Sequence, residues 1–131
     1  MVYTSLMVLI ALLEYFWFGI QVGQARGRTG VAAPAMSGHP EFERYFRIHY
    51  NTLEQLLMLV PAAFIFANFV GDVWAAGIVL VFVIGRFIYA TSYAKDPAKR
   101  GLGFALSAFP NLTLVLGSIV AIVIHLLHGG A

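Results

Sequence analysis

Four apolar stretches constrain this chain more than any other feature. They cover roughly residues 2–22, 52–70, 73–93 and 102–127, and each has the ~20 residues that a helix needs to cross hydrocarbon. Inside lipid the backbone must satisfy its own hydrogen bonds, so helices are the default. The expectation is an all-α fold: one transmembrane domain over residues 1–131, an integral bundle of four spanning helices. A secretory leader is the main competitor for the first stretch. That stretch lacks a basic leader segment and is long enough to span, so it reads as a retained helix.

Composition agrees. The chain is 60% hydrophobic and 11% charged, where a water-soluble domain carries about 25% charged residues. The formal charge is only +2 and no lysine-rich stripe occurs, which argues against a nucleic-acid partner. There is no cysteine, so disulfides, thiolate metal sites and a cysteine nucleophile are excluded. Any thiol chemistry must arrive with a substrate.

Three connections join the spans. Residues 24–40 are rich in glycine, proline and alanine and read as a loop. Gly71-Asp72 reads as a tight turn, and residues 94–101 carry Lys95, Asp96, Pro97, Lys99 and Arg100. Pro97 suits the first turn of a new helix or a kink. With four crossings, Arg26, Arg28, Arg44, Arg47, Lys95, Lys99 and Arg100 share one side, and the opposite side has both termini and no lysine or arginine. That asymmetry assigns the basic side to the cytoplasm. A bacterial inner membrane and an endoplasmic reticulum membrane fit equally.

The second helix begins polar, at Pro40-Glu41-Phe42-Glu43-Arg44. Glu43, Arg47, Asn51 and Glu54 follow at spacings that share one helical face. Arg86, Tyr89 and Tyr93 do the same on the third helix, and Arg100 continues that line if the helix persists through Asp96-Pro97. Ionisable groups in spans are costly and usually face the bundle interior, where they pair. Any one of these residues is accounted for by local pairing or by an interfacial tyrosine anchor. The set is not. A surplus of arginines with converging tyrosines and an asparagine suits a zwitterionic or anionic ligand, because arginine offers forked donors to carboxylates and asparagine offers both donor and acceptor.

These two stripes resemble the MAPEG family, the membrane-associated proteins of eicosanoid and glutathione metabolism. The likeness runs from about Gln21 to His128, and rests on Pro40 to Glu54 in the second helix and on Arg86, Tyr89, Tyr93 and Arg100 beyond it. The resemblance implies a homotrimer with glutathione between neighbouring subunits, near the cytosolic face. It implies glutathione contacts for Arg26, Arg47, His49, Asn51, Glu54, Tyr89 and Tyr93, His49 standing where one branch has a glutamine. It implies that Arg100 holds the glutathione thiolate. A nearby guanidinium favours the charged form of a thiol whose ordinary pKa is about 8.5.

Two positions depart from the eicosanoid-synthase branch. That branch has paired arginines where this chain reads Arg26-Gly27, and a tyrosine where it has Gln55. The implied activity is therefore a general one: conjugation of glutathione to lipophilic electrophiles (a detoxifying role), or reduction of lipid hydroperoxides. The alternative is a catalytically silent glutathione- or lipid-binding protein of the same fold. A transporter or channel is disfavoured because the ionisable residues gather near one face.

Other features weigh less. Gly19 and Gly23 have the small-xxx-small spacing that lets helices approach, and Gly27 reads as the start of the loop. Glu14 in mid-span is explained by a buried partner such as Arg86, with a proton or substrate role as the lesser alternative. His125 and His128 have no third ligand nearby and read as interfacial residues, so no metal site is expected. Asn111 beside Pro110 marks a kink or a helix contact.

Overall fold

A computed structural model of the chain describes residues 1–130. It contains four long helices: α1 (Val2–Thr29), α2 (Pro40–Phe69), α3 (Asp72–Lys95) and α4 (Gly101–Leu127), with a 3₁₀ turn over Pro97–Lys99 before α4. All four are long and apolar enough to span a membrane. The protein is a multi-pass, all-α membrane bundle. At 24 to 30 residues the helices reach roughly 36–45 Å, beyond the ~30 Å of hydrocarbon. The surplus lies mainly at the basic ends of α1 and α2.

Those ends correct the loop expected over residues 24–40. Helix α1 continues through Gln24–Thr29, with Gly27 inside it, and stops at Gly30. Gly30 adopts φ 78°, a left-handed conformation that glycine tolerates, and its N–H bonds Arg26 O at 2.9 Å. Hydropathy falls at residue 23, but Gln24, Ala25, Arg26 and Arg28 are good helix formers and carry the helix past the membrane edge. Pro40 is the first residue of α2, not the last of the loop. The His39 ring accepts the Glu41 N–H at 3.1 Å, and Glu41 and Glu43 occupy the first turn, where carboxylates favour the positive end of the helix. Arg28 Nε donates to Glu41 Oε1 at 2.9 Å, and Arg26 Nη1 to Ala35 O at 2.7 Å. Together these bonds fix the loop.

The interior is built from small and branched apolar side chains. Val8, Ala11, Leu56, Leu59, Ala63, Phe66, Ala75, Val79, Phe82 and Leu114 form one cluster shared by all four helices. Large apolar residues such as Leu13, Phe16, Trp74, Leu116, Ile119 and Val123 point outward, the arrangement expected where the solvent is lipid. Hydroxyls in the spans bond their own helix: Thr52 to Ile48 O, Ser107 to Gly103 O and Ser118 to Leu114 O. These three hydroxyl hydrogens are thereby satisfied within their own helices. At the end away from the basic residues, Asp72 accepts from the Tyr3 and Thr4 N–H groups at 3.0 and 2.8 Å and caps α1 from across the bundle.

Helices α3 and α4 meet in tight backbone contact at two glycines. A Cβ on Gly85 would lie 2.6 Å from the Leu106 backbone, and one on Gly103 would collide with the Tyr89 backbone. Gly19 of α1 abuts the His49 ring, whereas Gly23 faces open space, so only the first of that spaced pair packs within the chain. Asn111 is a helix contact: its amide donates to Gln55 O and Gln55 Oε1 at 3.2 and 2.6 Å, joining α4 to α2.

Candidate functional site

Helix α2 carries Glu43, Arg47, Asn51 and Glu54 down its open side, and α3 presents Tyr89 and Tyr93 one turn apart. The α3 helix does not persist through Asp96-Pro97. It ends at Lys95, because Pro97 removes an amide that a continuing helix would use. The Asp96 carboxylate instead accepts the Ala98 N–H at 3.0 Å and caps the 3₁₀ turn. That turn reverses the chain and delivers Arg100 as the residue preceding α4.

Arg47, Asn51, Tyr89, Tyr93 and Arg100 then surround one pocket of about 500 Å³, and Phe104 closes its far wall. The volume lies within the range of small-molecule sites. The tyrosine rings stack with centroids 5.5 Å apart and planes 17° from parallel. Among the described residues, Arg47 has no ion pair or hydrogen-bonded side-chain partner, and Arg100 Nη1 bonds only Pro97 O, at 3.1 Å. Asn51 Oδ1 is buried with no hydrogen-bond donor. Two guanidinium groups without a carboxylate partner and one unmet acceptor therefore face the same space.

Beneath the pocket lies Arg86, wholly buried. Its Nε and Nη2 donate to Thr52 Oγ1 at 3.2 and 2.9 Å, and its Nη1 donates to Ser107 Oγ at 3.1 Å. One side chain thus ties α2, α3 and α4 together. The expected pairing of Glu14 with Arg86 does not form among the described residues. Arg86 directs three hydrogen bonds to hydroxyls instead, and Glu14 Oε1 is buried without a partner.

Three residues named from sequence lie outside this pocket. Glu54 is exposed, one turn beyond Asn51 on the same face of α2. His49 follows Arg47 by two residues, which turns it to the other side of α2. There it stacks on Tyr15 of α1, with centroids 4.4 Å apart. Arg26 holds Ala35 O and lies 4.5 Å above the Phe42 ring. Phe104 was not anticipated, although it stands one turn into α4 from Arg100, which caps that helix.

The chain is similar in sequence to several known proteins. It is 37% identical to an uncharacterized protein of Synechocystis sp. over 93% of this chain and 89% of the relative. It is 33% identical to the human protein named microsomal glutathione S-transferase 2, over 76% of this chain and 67% of the relative. It is 30% identical to mouse leukotriene C4 synthase, over 92% of this chain and 81% of the relative. A sequence model of the MAPEG family matches residues 4–120, and the chain belongs to that family.

Proposed function

We propose that this protein is a membrane glutathione transferase that joins glutathione to lipophilic electrophiles at the pocket between α2, α3 and α4. One observation carries the reading: Arg47, Asn51, Tyr89, Tyr93 and Arg100 converge on one polar space inside an otherwise apolar bundle. The unpaired Arg47 guanidinium matches a carboxylate of a tripeptide, and the unmet Asn51 Oδ1 matches one of its N–H groups. The names of two relatives, glutathione S-transferase and leukotriene C4 synthase, point the same way.

The thiol of glutathione supplies the nucleophile, and the chain holds and activates it. Arg47 and Asn51 bind, the stacked tyrosines shape the wall, and Arg100 stabilises the thiolate left when the thiol proton goes to solvent. The new S–C bond forms as the electrophile loses its leaving group or opens its ring. With a hydroperoxide, two glutathiones become the disulfide and the peroxide becomes alcohol and water. Lipid beside the bundle brings the apolar partner.

Arg26 and His49 lie on the α1 side of the chain, away from the pocket. A homotrimer in which a neighbouring copy brings that side to the pocket would unite the whole set. The basic end would face the cytoplasm by the distribution of arginine and lysine.

Calorimetric titration of glutathione into the detergent-purified protein, beside Arg47→Ala, tests the reading. Saturable binding that the variant loses, with conjugation of a chloronitrobenzene above the uncatalysed rate, supports it. Binding without turnover favours a silent glutathione-binding protein. An intact oligomer that binds no glutathione overturns it.

A further inference from the structure

On the side of α3 turned away from the tyrosine pocket, a second cavity of about 240 Å³ opens between α1 and α3. Trp17 and Phe87 wall its deep end, and Gln21, Tyr45, Thr91 and Lys95 lie toward the basic end of the bundle. The register explains the gradient. Phe87, Thr91 and Lys95 follow one another at one-turn spacing on α3, and Trp17 and Gln21 do so on α1. Both helices run toward the basic end, so side chains change from aromatic to polar to cationic along the same direction. Ala90 and Ala94 provide the recess between them.

Charge decides what fits. Lys95 is exposed and has no ion-pair partner among the described residues. Arg44 reaches the same region and donates to Ala94 O at 3.4 Å. No carboxylate lines the cavity. Asp96 beside Lys95 is engaged with the Ala98 N–H. The recess is thus apolar where acyl chains lie and cationic where headgroups lie.

We propose that this crevice binds an anionic phospholipid of the leaflet at the basic end, its phosphate beside Lys95 and one acyl chain along Trp17 and Phe87. The site is independent of the glutathione reading, since it shares no lining residue with the tyrosine pocket. Its surroundings supply the recognition: a basic side chain near an anionic headgroup strengthens binding by about five-fold, and a tryptophan at the interface accommodates the glycerol region.

The chain has two tryptophans. Trp17 lines the crevice, and Trp74 lies at the opposite end of the bundle beside Asp72. In the full chain carrying Trp74→Phe, reconstituted in phosphatidylcholine, Trp17 fluorescence reports the site. A minor fraction of acyl-brominated phosphatidylglycerol is expected to quench it several-fold more than the same fraction of brominated phosphatidylcholine. Lys95→Gln should abolish the preference and Lys95→Arg should keep it. Lys99→Gln, outside the crevice, should leave most of it. Equal quenching by the two lipids overturns the proposal, as does equal loss from Lys95→Gln and Lys99→Gln, which marks a diffuse field. Absence of quenching by either lipid also overturns it, since a second subunit would then cover the crevice.

Discussion

The guanidinium carbon of Arg86 lies 4.2 Å from the centre of the Tyr89 ring. A buried cation directly under an aromatic ring inside a membrane bundle is costly unless it is held on all sides. Here Thr52 and Ser107 accept its protons while Tyr89 offers its face. Tyr89 in turn stacks on Tyr93. The position of the pocket's aromatic wall therefore depends on a residue that the pocket does not expose.

Arg86→Met should fold, because the Thr52 and Ser107 hydroxyls already donate to Ile48 O and Gly103 O and lose only an acceptor role. Cation–π contacts contribute about 2 kcal/mol when desolvated. With Tyr89 released, glutathione affinity should fall by about ten-fold, or about 1.4 kcal/mol. Tyr89→Phe keeps the ring over Arg86 and should lose less. Titration calorimetry on both variants checks the order. An Arg86→Met protein with unchanged affinity would show that Tyr89 is held by its backbone alone.

Gly103 makes the complementary contact. Any side chain there meets the Tyr89 backbone, which rigid backbone cannot relieve. Gly103→Ala should cost about 1–3 kcal/mol through overpacking and should part α3 from α4 where Tyr89 and Arg100 must meet. Thermal unfolding in detergent would show a lower midpoint. Glutathione binding should weaken more than in Gly23→Ala, whose site is open.

Arg100 should act on the thiol more than on binding. If its guanidinium lowers the thiol pKa, conjugation by the wild type rises with pH about a midpoint below the ~8.5 of a free thiol. Arg100→Met should move that midpoint up toward ~8.5. The sign follows from the charge: without the cation the thiolate forms only at higher pH, so the deficit is largest near neutrality and shrinks in alkali. Turnover profiles, with the thiolate absorbance of the bound tripeptide, separate this from a loss of affinity.

Much of this site was legible from spacing because it lies on helices. Arg47 and Asn51, or Tyr89 and Tyr93, are one turn apart and must share a face whatever surrounds them. Arg100 reached the pocket by a different route from the one its register suggested. Pro97 broke the helix, and a capped turn restored the side chain's position. Phe104 was hidden because a phenylalanine in an apolar span carries no local mark. Glu14 and Arg86 show the limit of pairing arguments. Two opposite charges in adjacent spans invite a salt bridge, but the hydroxyls of Thr52 and Ser107 lay closer to Arg86, and no linear pattern reveals that. The boundaries at Thr29 and Pro40 moved because hydropathy reports the edge of lipid, and helices end where caps end them.

Gln55 of α2 has a polar side chain that serves the bundle. Its Oε1 and backbone carbonyl both accept from Asn111 Nδ2, so the side chain is spent on joining α2 to α4 and does not enter the pocket. Interhelical bonds of this kind contribute about 0.6–2 kcal/mol in membranes. Asn111→Leu should lower stability by that order, since Gln55 Oε1 then loses its donor. Asn111→Leu with Gln55→Leu should recover part of the loss, because both polar groups are gone. Arg47 and Arg100 stand apart from this contact, so glutathione affinity should change little in either variant. Unfolding midpoints for the single and double variants, read as a cycle, measure the coupling. A double variant no more stable than Asn111→Leu would mean that the bond itself, and not the stranded amide, carries the effect.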